Sequence, residues 1–406
     1  MEAYMAYITQ ENLADVTFQL DWQSKEACHT EVYAAQGVSL WRDWLPERLR
    51  AALMGKHMGE TVRMGFSAAE VTGTKAADDV RSIARDQFEP ERITRETIVP
   101  RTGRFYPKGL LRDLPNIFSA NMEPFRCVAL ENGHLRVALN HPLIARNLEV
   151  TATVGGIGSK KAERGGTMRD WLGMAAAGAG MQSRWNGNPT DFFSDGPFRR
   201  EDESTDDRFY SQPRFVQHID DAARFELRRL HGMALRGSQR VLDLMSSWES
   251  HISRESNSFR VTGLGMNREE LAANPQLSDF RVHDLNHDPQ LPLAGESFDA
   301  VICALSVEYL VHPSDVFAEV ARVLKPGGVF AVSFSNRWFA PKAIRIWKEL
   351  HEFERMGLVS EYFLRSGRYT DLRTYSMRGL PRPADDKYFP RNLLADPLYA
   401  VWATRI

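Results

Sequence analysis

The chain has 406 residues, 43% of them hydrophobic and 26% charged, which is enough for two or three globular domains, each burying its own core. With 51 basic against 53 acidic residues the formal net charge is −2, and the absence of a basic excess argues against nucleic acid as a partner. Cys28, Cys127 and Cys303 lie far apart with no metal-ligand spacing, and no apolar run reaches the roughly 18 residues that span a bilayer, so no metal, no membrane and a reduced, cytoplasmic setting are expected.

In chain order, the opening MEAYMAYITQENLADV has neither a basic n-region nor an apolar h-region, so it does not read as a signal peptide. Residues 1–155 then show runs that alternate apolar and polar residues: VTFQLDW, TVRMGF, FRCVAL, LRVAL and LEVTATV. Such alternation predicts half-buried strands, and turn signals such as Glu131–His134 separate them. LPERLRAALMG (45–55) predicts one helix with a glycine stop. The polar stretch 72–99 reads as an inserted loop in this small antiparallel β domain. Residues 156–210 read as a linker or arm, acidic and turn-rich, with Phe192, Phe193, Phe209 and Tyr210 available to wrap onto the C-terminal domain.

The remainder, 211–406, alternates strands and helices. A helix over His218–Leu235 leads into RVLDLMS, FRVTGLGM, the helix NREELAAN, RVHDL, DAVICAL, the helix SDVFAEVARVL, the turn LKPGG and VFAVSF. That order predicts an α/β fold, a doubly wound parallel sheet with helices on both faces. The tail adds a helix (PKAIRIWKELHEF) and a last strand (LYAVWATRI) suited to an antiparallel hairpin.

Two family resemblances refine this. Leu45–Glu60, Tyr106–Phe118 and the turn Asn140-His141-Pro142-Leu143-Ile144-Ala145 before the last strand resemble peptidyl-prolyl isomerases of the FKBP family, SlyD-like branch. The resemblance implies an FKBP-like fold for 1–155. The aromatic that the family carries on its last strand falls near Val150, so docking, as a homo-oligomer or peptide contact, is favoured over isomerase activity.

The stretch SFDAVICALSVEYL…VFAEVARVLKPGGVFAVSFSN (297–336), with Asp243 ending the first strand and Asp284-Leu285 ending the third, resembles class I S-adenosylmethionine-dependent methyltransferases with a Rossmann-like sheet. Ligands of open α/β sheets sit at the carboxyl ends of the strands, at the switch point. The resemblance therefore implies cofactor contacts from Asp243, Met245, Ser246, Ser247, Gly263, Gly265, Met266, Asn267, Asp284, Leu285 and Cys303, with Arg214 for the cofactor carboxylate. Ser246 and Ser247 replace the family's glycines, and Gly265 stands where the family has a ribose-binding acid, leaving Asn267 as a substitute. Tyr210, His218 and His251 are the catalytic candidates, with Glu308 a weaker one and Trp248 and Glu249 at the mouth. The implied activity is methyl transfer to a small-molecule acceptor. No unmistakable base is present, which favours a thiol acceptor that needs little deprotonation. Two alternatives are a peptide-binding chaperone on a degenerate scaffold, and a protein methyltransferase whose FKBP-like domain presents the substrate.

Overall fold

The structure is a computed structural model; it describes residues 6–73, 79–92, 98–159, 166–253 and 259–406. The chain divides into two compact units, Met1–Ser194 and Asp195–Ile406. The dividing point falls inside the stretch read as an arm over 156–210.

The N-terminal unit contains β1 (Asn12–Gln23), β2 (Cys28–Val38), α1 (Glu47–Leu53), β3 (Thr61–Ser67), α2 (Ala68–Thr72), β4 (Val80–Ala84), β5 (Phe105–Pro107), β6 (Pro124–Glu131), β7 (His134–Ala138), β8 (Asn147–Ser159) and α3 (Trp171–Ala176). Two antiparallel sheets result. The first has the order β2–β1–β8–β3 and the second β4–β7–β6–β5. Alternation along β1 puts Val16, Phe18, Leu20 and Trp22 on the buried face, the period-2 rule at work. The second sheet has its own core of Ile83, Phe88, Tyr106, Leu110, Phe125, Cys127 and Val137.

Three expectations change here. The region 72–99 is no simple loop, because β4 lies within it and pairs with β7 outside it; 74–78 and 93–97 lie outside the described residues. β8 runs past residue 155 to Ser159, so the first part of the expected arm is strand. The four arm aromatics do not act together. Phe192 is buried in the N-terminal unit under the Arg104 guanidinium, whereas Phe209 and Tyr210 belong to the C-terminal unit.

The C-terminal unit contains α4 (Asp206–Phe209), α5 (Asp221–Ala234), β9 (Arg240–Leu244), β10 (Arg260–Gly265), α6 (Arg268–Ala273), β11 (Asp279–Val282), β12 (Phe298–Ala304), α7 (Pro313–Val323), β13 (Leu324–Phe334), α8 (Arg345–Glu349), α9 (Glu352–Ser366), β14 (Tyr369–Arg378) and β15 (Leu398–Arg405). Its strands run in the order β11–β10–β9–β12–β13–β15–β14. The first five are parallel, and β15 is antiparallel to both β13 and β14. From β9 the chain builds β10 and β11 to one side, then crosses to build β12 and β13 on the other. The switch point therefore lies at the carboxyl ends of β9 and β12.

Local chemistry sets these elements. Asp220 caps α5 by accepting from the Ala223 N–H, and Pro313 occupies the first turn of α7, where its missing N–H costs nothing. α7 turns Val316, Phe317, Val320 and Val323 inward. Phe317 meets Phe330 and Phe363, each at 4.9 Å between ring centroids, which locks α7 and α9 onto β13. LKPGG falls within the bounds of β13; its turn character survives in Gly327 at φ 78° and in a register break after the Phe298–Leu324 pair. The helix expected over PKAIRIWKELHEF is two: short α8, then α9, started by a capping box on His351 and ended by Gly367 at φ 62°.

Candidate active site

A cavity of about 400 Å³ opens at the switch point of the C-terminal unit. Its walls come from the ends of β9, β10 and β12, from the turn after β11, from residues 206–219 that lead into α5, and from Arg337–Phe339 and Lys387–Tyr388.

The floor is the turn after β9. Val241, Leu242 and Leu244 are buried in the sheet, and Asp243 is 2% exposed. Burial pushes the Asp243 carboxyl up to about 6, partly opposed by the Ser246 hydroxyl that donates to it at 2.6 Å. Met245 takes φ 57° to reverse the chain. The Ser246 N–H then donates to the Leu264 carbonyl at 2.8 Å, which lays the turn across the end of β10. A Cβ on Gly265 would sit 2.1 Å from the Ser246 carbonyl oxygen. The space an acidic side chain would leave from is filled by backbone, so the missing acid at this position is a consequence of the turn.

Most of the expected site residues line this cavity: Tyr210, Arg214, His218, Asp243, Met245, Ser246, Ser247, His251, Gly265, Met266, Asn267, Asp284 and Leu285. Two expected contacts do not. Gly263 is a packing glycine, since a Cβ there would meet Leu277 at 2.5 Å. Cys303 is buried within β12 beside Leu244 and Val332, and desolvation drives its thiol well above the ordinary range.

Several polar side chains are engaged otherwise than the sequence suggested. The Ser246 hydroxyl serves Asp243, and that of Ser247 donates to Glu270 at 2.6 Å, so neither is turned to a ligand. Asn267 caps α6, its Oδ1 accepting from the Glu269 and Glu270 N–H groups, while its amide donates to the Tyr210 carbonyl at 2.9 Å. It fastens the segment before α5 to the end of β10. The backbone N–H of Arg214 donates to Glu270 at 2.7 Å, its guanidinium donates to the Phe209 carbonyl at 2.8 Å, and the group lies over the Phe209 and Phe339 rings.

Two of the three catalytic candidates, His218 and Tyr210, are shifted away from the range in which they would take up a proton readily. Burial lowers the His218 imidazole, with Glu270 working against the shift, and its ring stands edge-on to Phe339 at 5.2 Å. Burial raises the Tyr210 hydroxyl. His251 Nδ1 is 3.5 Å from Glu249. Burial alone would raise the Glu249 carboxyl, but His251, Arg228 and Gln217 outweigh it and hold it far below the usual range. Glu308 is fully buried, has no hydrogen-bond partner on either side-chain oxygen among the described residues and is pushed by burial up to about 8; it lies behind the cavity wall.

Sequence reasoning missed five groups. Asp206 accepts from Arg200 at 2.7 Å, from Asn286 at 2.7 Å, and pairs with Lys342 at 3.2 Å, pinning α4 to the turn after β11. Asn286 also donates to the Tyr309 carbonyl. Glu270, Arg337 and Lys387 complete the charged wall. Only Glu270 left a trace in sequence, three residues after a capping Asn; the others come from segments remote in the chain. Among the described residues no group of three His, Cys, Asp or Glu side chains could hold a metal ion, and no helix is long and apolar enough to cross a membrane.

Residues 250–332 match the family described as methyltransferase domain. The chain is 32% identical over 89 residues to the malonyl-[acyl-carrier protein] O-methyltransferase of Marinomonas sp. (strain MWYL1), and 38% identical over 67 residues to the biotin biosynthesis bifunctional protein BioHC of Teredinibacter turnerae. These stretches are 21% and 16% of this chain and span 33% and 12% of the relatives. Among solved structures, an S-adenosylmethionine-dependent methyltransferase from Archaeoglobus fulgidus is similar over 46% of this chain and 94% of its own, at 14% identity and a TM-score of 0.34. The family match lies inside the C-terminal unit, and it supports an enzyme that transfers a methyl group with S-adenosylmethionine as its cofactor.

Proposed function

We propose that the protein methylates a small acceptor bearing a carboxylate, using S-adenosylmethionine held in the cavity at the switch point. The observation that carries the reading is the cavity itself: about 400 Å³, at the carboxyl ends of β9 and β12, with Asp284 and the turn after β9 on its walls. When bound, the cofactor supplies a methyl carbon activated by a sulfonium. Asp284 would accept from the adenine amino group, with Leu285 and Met266 against the ring. The Met245–Ser247 turn would hold the methionine end, and Arg214 would face its carboxylate. Tyr210, His218 and Phe339 would position the acceptor and exclude water, which is the main service such a reaction needs.

The acceptor follows from the bases the site lacks. His218 is lowered by burial and Tyr210 raised by it, so neither is poised to take a proton from a tightly held site. A carboxylate has already lost its proton at neutral pH, whereas a thiol with a pKa of about 8.5 is still mostly protonated. The names of the two relatives concern O-methylation of malonyl-[acyl-carrier protein] and biotin biosynthesis, and Lys387 puts a positive charge on the cavity wall (the Arg337 guanidinium there is paired with Asp396 at 3.0 Å), so a carboxylate is favoured over the thiol first expected. The N-terminal unit stays an FKBP-like docking module in this reading. Its six-residue turn ends on Ala145 at φ 62°, a backbone conformation suited to the small residue that the family places there.

Calorimetric titration with S-adenosylmethionine and S-adenosylhomocysteine tests the cofactor, and methyl-ester against thioether formation on a panel of dicarboxylates and thiols tests the acceptor. No binding by folded protein would overturn the first; thioether products alone would overturn the second.

A further inference from the structure

The cavity walls carry five carboxylates, and their partners differ. Asp206 is taken by Arg200, Lys342 and Asn286. Glu249 is taken by Arg224, Arg228 and Gln217. Asp243 lies beneath the turn after β9, with the Ser246 hydroxyl on it. Asp284 accepts from the Asn286 N–H on one oxygen. Glu270 has no cation paired with it among the described residues: Oε2 accepts from the Ser247 hydroxyl at 2.6 Å and Oε1 from the Arg214 N–H at 2.7 Å. A carboxylate accepts about four hydrogen bonds, so roughly half of its capacity is open.

Its position adds to this. Glu270 stands in the first turn of α6, five residues beyond Gly265, where the Ser246 carbonyl leaves no room for a side chain. The end of β10 therefore offers a ligand backbone only, and the nearest acidic group along the chain in this wall comes from the helix. A partly buried carboxylate that faces a cavity with neutral donors and no paired cation suits a neutral polar partner with O–H groups. The proposed cofactor has one such group, the vicinal diol of its ribose.

We infer that Glu270 accepts hydrogen bonds from the ribose hydroxyls of the cofactor. In the same position it joins the turn after β9 (through Ser247) to the segment before α5 (through Arg214), so the diol becomes the third party to a contact that already ties two walls together. This rests on the cofactor reading above.

The test is calorimetry on the full-length protein with S-adenosylhomocysteine and its 2′-deoxy and 3′-deoxy analogues. The wild type should bind at least one deoxy analogue about 10-fold or more weakly, the loss expected for a hydrogen bond to a charged group. Glu270→Gln should lose a similar factor for the parent ligand and little more for the analogues, because both changes remove the same bond. Glu270→Gln weakening parent and analogues by one common factor would make Glu270 a latch between walls and overturn the inference, as would unchanged affinity. Ser247→Ala leaves the carboxylate in place and should keep the discrimination against deoxy ligands; its loss there would also count against the assignment. Failure of the wild type to bind S-adenosylhomocysteine at all would instead sink the cofactor reading, and this inference with it.

Discussion

Restoring an acid at position 265 should damage the site. A Cβ on residue 265 would lie 2.1 Å from the Ser246 carbonyl oxygen, about 1.3 Å inside the 3.4 Å where ordinary contact begins. That oxygen belongs to backbone, so the turn itself must move. Moving it strains the Ser246 N–H bond to the Leu264 carbonyl, which contributes about 1 kcal/mol, and the buried Ser246–Asp243 bond, which contributes about 2 kcal/mol as a bond to a charged group. Gly265→Ala should therefore destabilise the C-terminal unit by roughly 3 kcal/mol, at the upper end of overpacking costs. Gly265→Asp should do the same and add a carboxylate with no space to occupy. Urea unfolding followed by tryptophan fluorescence gives the stability, and calorimetry with S-adenosylhomocysteine gives the affinity. A Gly265→Asp protein that is as stable as wild type and binds the ligand more tightly would refute the reasoning.

Three further outcomes rest on named groups. Burial holds the Glu308 carboxyl at about 8 against 4.5, so its favourable contribution is whole below about pH 4.5 and is lost as pH rises through 8; Glu308→Gln should remove a fall of up to about 5 kcal/mol over that window, and parallel stability–pH profiles for the two proteins would exclude it. Asp206→Ala strands the buried Arg200 and leaves Lys342 with Asp202 as its remaining carboxylate partner, and should cost about 3–5 kcal/mol in chemical denaturation; a loss under about 1 kcal/mol would show the cluster to be replaceable. Asp284→Ala should weaken S-adenosylmethionine binding by roughly 1–3 kcal/mol, and unchanged affinity would move the adenine elsewhere.

The elements legible in the sequence were those that local pattern dictates. Alternation located β1, β3, β6, β7 and β8, apolar runs located β9, β10 and β12, and helical spacing located α7. α9 was hidden because tertiary packing buries it on nearly all sides, Phe353 through Phe363, so it lacks the one-sided stripe that marks a surface helix. Asp243 and Asp284 were legible as strand-end acids. The uses of Ser246, Ser247 and Asn267 were not, because each depends on a partner that another segment or a tight turn supplies: Asp243, Glu270 and Tyr210. Glycine at 265 could be read as a departure, but its cause is a carbonyl nineteen positions earlier, which only the folded turn brings there.

Lys342 is wholly buried, with its ammonium against the Ser204 and Asp202 carbonyls and the carboxylates of Asp202 and Asp206. It is therefore shut away from amine-reactive reagents for as long as residues 202–206 stay seated. Any excursion that lifts this segment from the cavity must bare one lysine. The rate at which Lys342 acquires a label, with and without a bound ligand, is thus a clock for the opening of the site that needs no engineered reporter residue.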